Sequence, residues 1–476
     1  MTFDKKPGES IVLFGFDDSA FPFQTYVEKH LLPGRSEGVS LEPGPRGSHD
    51  EILRLYGTVI WDEGRFKTWY MGSRRPEKPD FTMGRGLGGY AEHCVCYAES
   101  EDGFNWTKPN LGLVNYGGTI DNNLIELPER ETTIASVVLL DADETDLSRR
   151  YKMAYEAGAD HRLRVAYSFD GLRWSAEATN PVGPFFEMAG IMKHNGFYIV
   201  NGHDSIDAHH PYRARLMASL ISSDFVHWSP IPAVGMDRSD PSWSIRDRHE
   251  WNNREEIHLG AALWDRGNVV IGIYGQWHGH TTGDRRQVSI DLGLAISNDG
   301  LGFREPIPDF KLLVAAEQAD SPIEVPALVA GQGMTNFGEK TLLWFSLWRG
   351  NEGTGIRVAE WERDRLGYLS PFKPEGARVI SAPLLITAGE TISIRANVSG
   401  TGTNAGVRVV LLDENFQPLS GYGKEESSIV DGDSLDTPIL WSGKSTYTSD
   451  GKPIYGAVDF LGIRPEDVRL HALYIT

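Results

Sequence analysis

The sequence predicts an all-β protein, a five-bladed β-propeller followed by a C-terminal β-sandwich. A phrase made of a strand, a small polar turn and a returning aromatic residue recurs along the first three quarters of the chain. A pair of apolar runs joined by a short turn precedes each copy, and the rhythm stops near residue 378. Repetition of this kind is the signature of a propeller, and 476 residues are enough for two such domains.

The recurring phrase is clearest as Ser-x-Asp-Gly-x-x-Trp, a hairpin in which Asp-Gly supplies the backbone with positive φ that a tight turn needs. Its copies span 96–109, 166–177, 219–230, 294–306 and, in degraded form, 358–371. We therefore assign turn-building to Asp102, Asp170, Asp224 and Asp299, and packing to Trp106, Trp174 and Trp228. We expect no chemistry from either set.

The paired apolar runs supply the two inner strands of each repeat. They span 51–72, 133–157, 187–203, 256–276 and 323–348. Each unit then reads as four strands, which is one propeller blade. We predict a propeller over 1–378, with the first apolar run, 10–16, adding a strand to the last blade and closing the ring. A β-sandwich with repeated hairpins is the alternative.

The segment 379–476 alternates apolar and polar residues without the blade phrase, which suits strands that bury one face in a sandwich. Asp431, Asp433 and Asp436 cluster in one loop, but no bidentate Glu stands at calcium-loop spacing, so a solvated turn is the favoured interpretation. We expect this domain to contribute stability or dimer contacts, and no catalytic group.

Composition and charge limit the classes of partner that the protein is expected to bind. The formal net charge is −20, which disfavours nucleic acid and anionic membranes. The sequence has no run of 18 apolar residues and no apolar leader, so we expect a cytoplasmic protein with no membrane partner, and a homo-oligomer is possible. Cys94 and Cys96 are two positions apart and are expected to be buried thiols.

Blade geometry sorts the loops into two faces. If each inner strand runs from an upper face to a lower one, the start of strand one and the loop between strands two and three lie on the upper face. The Asp-Gly turns then lie on the lower face. The two faces therefore carry different residues, and only one of them combines strand-end acids with long polar loops.

A propeller followed by a sandwich resembles glycoside hydrolase family 32, and the propeller alone resembles family 43. The stretches YGTVIWDEGRFKTWYMG, YAESEDGFNWTKPNLGLVNYGGTIDNNLI and RRYKMAYEA are similar to a bacterial group described as family 32-like. The resemblance implies an O-glycosidic hydrolase whose site is the upper funnel. The family 32 phrases Trp-x-Asn-Asp-Pro-Asn-Gly, Arg-Asp-Pro and Glu-Cys are absent, so no catalytic residue is carried over by motif.

Acids at the start of the inner strands are the catalytic candidates, because glycoside hydrolysis needs two carboxyl groups across the scissile bond. Those positions hold Asp50, Glu51, Glu131, Glu187, Glu255, Glu256 and Glu324. We expect Asp50, or its neighbour Glu51, to act as nucleophile or base and Glu256 as general acid. Glu187 would be a third carboxylate, and the roles could be permuted. A solvated strand-end charge is the alternative for each.

The predicted upper loops offer binding residues. They are Arg74 and Arg75 with the glycine-rich 81–93, His203 and Asp204, the polar run containing Arg246, and Trp277, His278 and His280. His-x-His is a weak metal signal, so we expect no cofactor, although a funnel metal is conceivable. Glu324 and Arg54 complete the substrate-binding prediction.

Three functions remain open on the sequence. The first is a hydrolase of a furanoside or related oligosaccharide. The second is a phosphorylase or transglycosidase, in which Arg54, Arg74, Arg75 and His203 would hold phosphate. The third is a sugar-binding propeller without catalysis, which the missing family phrases support.

Overall fold

The computed structural model describes residues 2–74, 93–129, 133–203, 215–238, 254–318, 325–348, 355–373, 375–401 and 405–476. Within these ranges the fold is almost entirely β. The helical pieces there are one short α-helix, Ala315–Gln318, and three 3₁₀ turns, Leu147–Arg149, Arg285–Gln287 and Pro465–Asp467. No helix among the described residues has the length and apolarity needed to cross a membrane.

Five short strands open the chain. They are β1 (Phe3–Lys5), β2 (Ile11–Phe14), β3 (Phe23–Thr25), β4 (Val27–Leu31) and β5 (Arg35–Leu41). The first four pair with strands from the C-terminal third of the chain, and only β5 joins the propeller.

Four blades are contiguous in sequence, and each contains four antiparallel strands. Blades 2, 3 and 4 are separate sheets, whereas blade 1 belongs to an eight-stranded sheet that it shares with blade 5. Blade 1 contains β6 (Ile52–Asp62), β7 (Arg65–Ser73), β8 (His93–Ser100) and β9 (Trp106–Thr107). Blade 2 contains β10 (Ala135–Leu140), β11 (Tyr151–Ala157), β12 (Arg162–Ser168) and β13 (Ser175–Ala176). Blade 3 contains β14 (Glu187–His194), β15 (Phe197–His203), β16 (Met217–Ser222) and β17 (Ala233–Met236). Blade 4 contains β18 (Glu255–Asp265), β19 (Val270–His278), β20 (Ser289–Ser297) and β21 (Lys311–Leu313).

Blade 5 closes the ring. Its strands β22 (Leu328–Phe337), β23 (Lys340–Leu347) and β24 (Ile356–Glu362) are completed by β5, which pairs with β24 as the outer strand. The inner strands β6, β10, β14, β18 and β22 lie against one another in that order, and β22 returns to β6 through the pair Gln332 and Thr58. The predicted propeller is confirmed, but the predicted closing strand is wrong, because residues 11–14 pair with the last strand of the sandwich.

The turn prediction is confirmed at atomic level. In blade 2, the Asp170 carboxylate accepts hydrogen bonds from the backbone N–H groups of Leu172 and Arg173, and Gly171 has φ +78°. The indole of Trp69, from blade 1, donates to the Gly171 carbonyl at 2.7 Å, so the turn also joins neighbouring blades. The third copy holds Phe225 in this position at φ +68°, a conformation that a bulky residue rarely adopts.

The sandwich follows blade 5. Its strands are β25 (Gly367–Pro371), β26 (Arg378–Ile380), β27 (Leu384–Ile386), β28 (Thr391–Ser399), β29 (Gly406–Leu412), β30 (Val430–Asp431), β31 (Ser434–Pro438), β32 (Thr446–Thr448), β33 (Tyr455–Leu461) and β34 (Arg469–Ile475). One sheet has the order β31-β28-β34-β25-β4, with β2 and β32 attached, and the other has the order β3-β26-β33-β29-β30.

The strand pairing revises the predicted boundary at residue 378. Residues 3–31 belong to the sandwich sheets, and the degraded fifth copy of the turn phrase leads into β25, which pairs with β4 and β34 instead of returning to its blade. Asp433 pairs with Arg365, and Asp436 lies 2.6 Å from Arg395, so these two carboxylates serve ion pairs.

The sandwich packs on blades 4 and 5. Phe14 and Phe16 are fully buried in a cluster that includes Ile271, Phe345 and Trp361 of the propeller. Arg304 of blade 4 reaches the Asp17 carboxylate at 2.6 Å across the same contact. The two domains therefore share a core, which a linker-joined pair would lack.

Candidate active site

The upper end of the channel is where the inner strands begin, as the geometry predicts. Cross-strand pairing places Ile52 opposite Ser73, Glu187 opposite His203 and Glu255 opposite His278. The start of each of these inner strands therefore adjoins the end of its blade's second strand. Acids at these starts and polar residues at those ends share one face.

Blades 3 and 4 bring two of the predicted carboxylates into one connected group. Glu187 Oε2 lies 3.3 Å from Nε2 of His203, and the same nitrogen lies 3.1 Å from an Arg215 terminal nitrogen. The Arg215 Nε lies 3.9 Å from Oε2 of Glu256. We call Glu187, His203, Arg215 and Glu256 the inter-blade cluster. Its side chains are mostly buried, and the Glu256 side chain is completely so.

Backbone pairing fixes the position of Arg215 between the blades. The residue precedes β16 of blade 3, yet its carbonyl accepts a hydrogen bond from the N–H of Ile257 in blade 4. Its guanidinium lies 4.8 Å from the ring centroid of Trp277. The Arg215 guanidinium is therefore fixed by its contacts with His203 of blade 3 and Trp277 of blade 4, and the Arg215 backbone is fixed by its hydrogen bond to blade 4.

Aromatic rings lie beside the inter-blade cluster. His258 packs against Trp348 at 4.9 Å and against Trp277 at 5.9 Å between ring centroids. Trp348 and Tyr56 are partly buried and pack on Ala189, Leu259 and Val329, apolar residues from the inner strands of three blades. Arg54 donates through Nε to the Trp348 carbonyl at 3.0 Å. We call Trp348, Tyr56 and the three apolar side chains on which they pack the aromatic floor.

Asp50 is held in a structural network. Its carboxylate is 2% exposed and accepts hydrogen bonds from Ser48, from Tyr70 at 3.0 Å and from Lys108 at 2.5 Å. Burial alone would raise the pKa of Asp50, but Lys108, with smaller help from His49 and Tyr70, holds it below its ordinary value. These partners give the Asp50 carboxylate a structural role, and its expected role as nucleophile or base stays a prediction.

The neighbouring alternative, Glu51, accepts a hydrogen bond from the Gly47 N–H at 2.9 Å in the loop before blade 1. Arg74 is exposed and lies 5.5 Å from the ring centroid of Tyr116. Both residues lie at the upper end of blade 1. Their contacts with Gly47 and Tyr116 do not involve the inter-blade cluster.

Two predicted binding residues of blade 4 have other tasks. Trp277 is fully buried beneath Arg215, so it supports the site and offers no stacking surface to a sugar. His278 bridges two carboxylates, with Nδ1 2.8 Å from Glu255 and Nε2 3.2 Å from Asp291. Glu255 also lies 3.3 Å from Arg238. Burial removes Trp277 from direct contact with a substrate, whereas direct binding by His278, whose side chain is 24% exposed, stays a prediction.

Several predictions lie outside the described residues. They concern Arg75, Glu131, Asp204, Arg246 and Glu324.

Among the side chains that the structure does describe, no three potential metal ligands of the His, Cys, Asp or Glu type gather into one group. The thiols of Cys94 and Cys96 are buried, with their sulfur atoms 3.8 Å apart.

Sequence reasoning missed Arg215, His258, Trp348 and Tyr56. Arg215 follows a loop without periodicity, and no local signal distinguishes it from other surface arginines. His258 could have been found, because it lies two positions after Glu256 and so shares its side of β18 until the strand irregularity that follows. Trp348 ends the apolar run of blade 5, where the sequence reads as core.

The lower end of the channel opens into a cavity of about 1300 Å³, lined by the far ends of the inner strands and by residues near the N-terminus. Four of its charged side chains form two ion pairs. Lys193 lies 2.8 Å from Asp141, and His194 lies 2.9 Å from Asp265. The upper end differs in that it holds Glu187 and Glu256, two carboxyl groups on neighbouring blades that are linked through His203 and Arg215.

No protein-family model matches the chain, and no curated protein sequence matches it either. Solved structures do overlap with it. A β-1,2-mannobiose phosphorylase from Listeria innocua is 14% identical, with a TM-score of 0.46, over 69% of this chain and 95% of the other. A glycosyl hydrolase from Bacteroides ovatus is 16% identical, with a TM-score of 0.44, over 70% and 95%. A thermostable family-43 glycoside hydrolase is 15% identical, with a TM-score of 0.42, over 67% and 90%.

Proposed function

We propose that the protein is a glycoside hydrolase that cleaves a furanoside or a related oligosaccharide at the upper end of the propeller channel. The observation that carries the proposal is the inter-blade cluster, in which Glu187 and Glu256 come from adjacent blades and are joined through His203 and Arg215. Hydrolysis of a glycosidic bond requires two carboxyl groups on either side of the scissile bond, one to protonate the leaving oxygen.

The surroundings of the cluster suit a sugar. Arg215, whose side chain is 13% exposed, supplies N–H donors for hydroxyl groups, and the aromatic floor supplies apolar ring faces from Trp348 and Tyr56. Small-molecule sites commonly combine an apolar lining with a few fixed polar groups. Direct substrate contacts by Asp204, Arg246 and Glu324 remain part of the proposal.

The test is turnover by purified protein and by two variants. We would assay a panel of 4-nitrophenyl α- and β-glycosides together with arabinan, fructan and mannan oligosaccharides. Glu187→Gln and Glu256→Gln should each lower kcat by about 10²-fold or more, since removal of a general acid or base costs that much. Glu101→Gln, an exposed carboxylate on the lower face, is the matched control and should keep full activity.

The result also separates the alternatives. Wild-type turnover that survives both substitutions would show that the reaction uses other residues. Saturable sugar binding without any turnover would identify a binding protein. Neither result is compatible with the proposed hydrolase site.

A phosphorylase is the second candidate, and the observation that favours it is the group of guanidinium side chains at the upper end. Arg54 ends at the Trp348 carbonyl, Arg215 lies between the two carboxyl groups, and Arg254 is buried just before β18. Arginine suits phosphate recognition because of its planar array of donors. Turnover that depends on inorganic phosphate and releases a sugar 1-phosphate would favour this candidate over hydrolysis.

A further inference from the structure

The cavity at the lower end of the channel, called the lower cavity below, is separate from the upper site. Gln332 of blade 5 accepts a hydrogen bond from the Leu263 N–H at 2.7 Å and donates to the carbonyls of Leu263 at 2.8 Å and Ile191 at 3.0 Å. Blades 3 and 5 are not neighbours in the ring, so the Gln332 amide crosses the channel. Val329 of the aromatic floor precedes Gln332 on a strand that runs downward. The amide therefore lies between the aromatic floor and the lower cavity, which Gln332 also lines.

One wall of the lower cavity is formed by the N-terminal segment, residues 2–11. Its first strand, β1, pairs with β27 of the sandwich, and Lys5 lies 2.5 Å from Glu390. At its other end, the Val12 N–H donates to the Asn268 side chain of blade 4 at 2.9 Å, and the Asn268 amide donates to the Val12 carbonyl at 2.8 Å. The wall is thus fixed to both domains, and the lower cavity is preformed, as small-molecule sites usually are.

Two tryptophans from different blades line the lower cavity. Trp61, next to the last residue of β6, is 43% exposed, although Phe66 and Phe337 pack on it at 4.7 and 5.1 Å between ring centroids. Trp264 has the corresponding position in β18 and is partly buried, with the Arg266 guanidinium 4.4 Å from its ring centroid. Neighbours therefore hold both indoles, and a ligand that covers the exposed part of Trp61 removes apolar surface from water.

The charges around the lower cavity exclude an anionic ligand. Among the described residues that line it, five side chains are acidic and three, apart from His194, are basic. Lys193 lies 2.8 Å from Asp141 and 3.1 Å from Asp143. His194 lies 2.9 Å from Asp265. An anion such as phosphate needs an excess of positive charge, which this lining lacks, so a neutral ligand fits it better.

A neutral oligosaccharide matches the lining. A sugar ring has faces of C–H bonds that pack on an indole, and its hydroxyl groups both donate and accept hydrogen bonds. The side chains of Lys193 and Asp265 are each 26% exposed, so they offer a donor and an acceptor beside the two rings. The volume of about 1300 Å³ exceeds the roughly 300–1,000 Å³ of common small-molecule sites, which leaves room for more than one sugar unit.

We propose that the lower cavity is a second carbohydrate-binding site, which holds a neutral oligosaccharide against Trp61 and Trp264 at the end of the propeller opposite the inter-blade cluster. The site binds without reacting, so it needs none of the residues of the proposed hydrolase and goes beyond that function. Its benefit to an enzyme is that a chain held at the lower end keeps further sugar at high effective concentration around the protein.

Fluorine NMR of protein labelled with 5-fluorotryptophan tests the site directly. Trp61→Phe and Trp264→Phe identify the two resonances by their loss and keep an aromatic ring in place. Arabino-, fructo- and manno-oligosaccharides are titrated into wild type and into Glu187→Gln, in which hydrolysis at the upper end should not consume them. At least one of these sugars should shift both resonances and reach saturation, whereas the anionic oligogalacturonate should shift neither. If no neutral sugar shifts them, or if oligogalacturonate does, the inference is overturned.

Calorimetric titration with the sugar that gives the shifts measures the contribution of the ring. Trp61→Ala should raise the Kd of the lower site about 10-fold, the loss expected for one stacked aromatic side chain. Phe169→Ala is the matched control, because that ring is 59% exposed on the lower turn of blade 2 and does not line the cavity. An unchanged Kd in Trp61→Ala would contradict the proposal, and circular dichroism checks the fold of each variant.

Turnover separates this inference from the proposed function. If the protein hydrolyses none of the glycosides but the two fluorine resonances shift, the hydrolase is rejected and the second site stands. If it hydrolyses them and the resonances do not respond, the hydrolase stands and the second site is rejected.

Discussion

His278 predicts a specific dependence of stability on pH. Both ring nitrogens face carboxylates, Glu255 at 2.8 Å and Asp291 at 3.2 Å, so the doubly protonated ring is the form that both partners favour. Burial acts to lower the pKa of His278, but the hydrogen bonds and charges of Asp291 and Glu255 prevail and raise it to about 9. Burial acts to raise the pKa of Asp291, but the hydrogen bonds from His278, the Ala315 N–H and Lys311 lower it to about 2.

The sign follows from the folded and unfolded values. In the unfolded chain a histidine titrates near 6.5, so the folded state binds its proton more tightly. This contribution to the free energy of unfolding is fully present below about pH 6.5 and is lost as the pH rises through about 9. At about 1.4 kcal/mol per pH unit, the two pKa values correspond to an upper limit of ~3 kcal/mol.

Urea unfolding between pH 5 and pH 10 measures the effect. Wild type should lose up to ~3 kcal/mol more than His278→Gln over the interval from pH 6.5 to pH 9.5, because the variant lacks the titrating group. His280→Gln, on the adjacent exposed loop, is the control and should follow wild type. A His278→Gln protein whose stability falls in parallel with wild type would refute the reasoning.

Three further predictions concern the framework. Gly171→Ala places a Cβ 2.7 Å from the Trp69 ring at φ +78°, and should lower the free energy of unfolding by about 1–3 kcal/mol in urea. Asp50→Asn removes the negative partner of Lys108 and should lower the free energy of unfolding by about 1–3 kcal/mol; a loss of kcat per folded molecule in addition would support the expected catalytic role of Asp50, and an unchanged kcat would contradict it. Deletion of 379–476 should yield an aggregating propeller, whereas a monomeric, stable product in gel filtration would contradict this.

The blade repeat could be predicted because its determinants are local. In each Asp-Gly copy the aspartate accepts backbone N–H groups within its own turn, and the glycine adopts the left-handed backbone that the turn demands. The copy with Phe225 shows the limit of this logic. There, burial of the ring among Tyr167, Tyr198 and Trp228 holds a conformation that the residue alone would avoid.

The closing strand could not be predicted, because an apolar run indicates a buried strand but does not show which strand it pairs with. Residues 10–16 are apolar enough for an inner position in either domain, and their partner, β34, lies more than 450 residues later. The strand that does close the ring, β5, is largely polar and half exposed, as an outer blade strand can be. Apolar periodicity detects the inner strands of a blade, but it does not detect a largely polar outer strand such as β5.

The end of the channel at which the strand-start acids lie could be predicted better than the partners that each acid meets. The direction of the inner strands is enough to predict that acids at their starts lie at one end of the channel. Glu187 and Glu256 do lie at the same end. Whether such an acid serves catalysis depends on what meets it. Asp50 meets Lys108 and Tyr70 within its own blade, whereas Glu256 meets Arg215 from the next blade. Arginine and lysine partners come from segments distant in sequence, so the charge state of each carboxyl is a property of the assembled ring. The inter-blade cluster is accordingly the part of the molecule in which substitution and pH titration will say most about function.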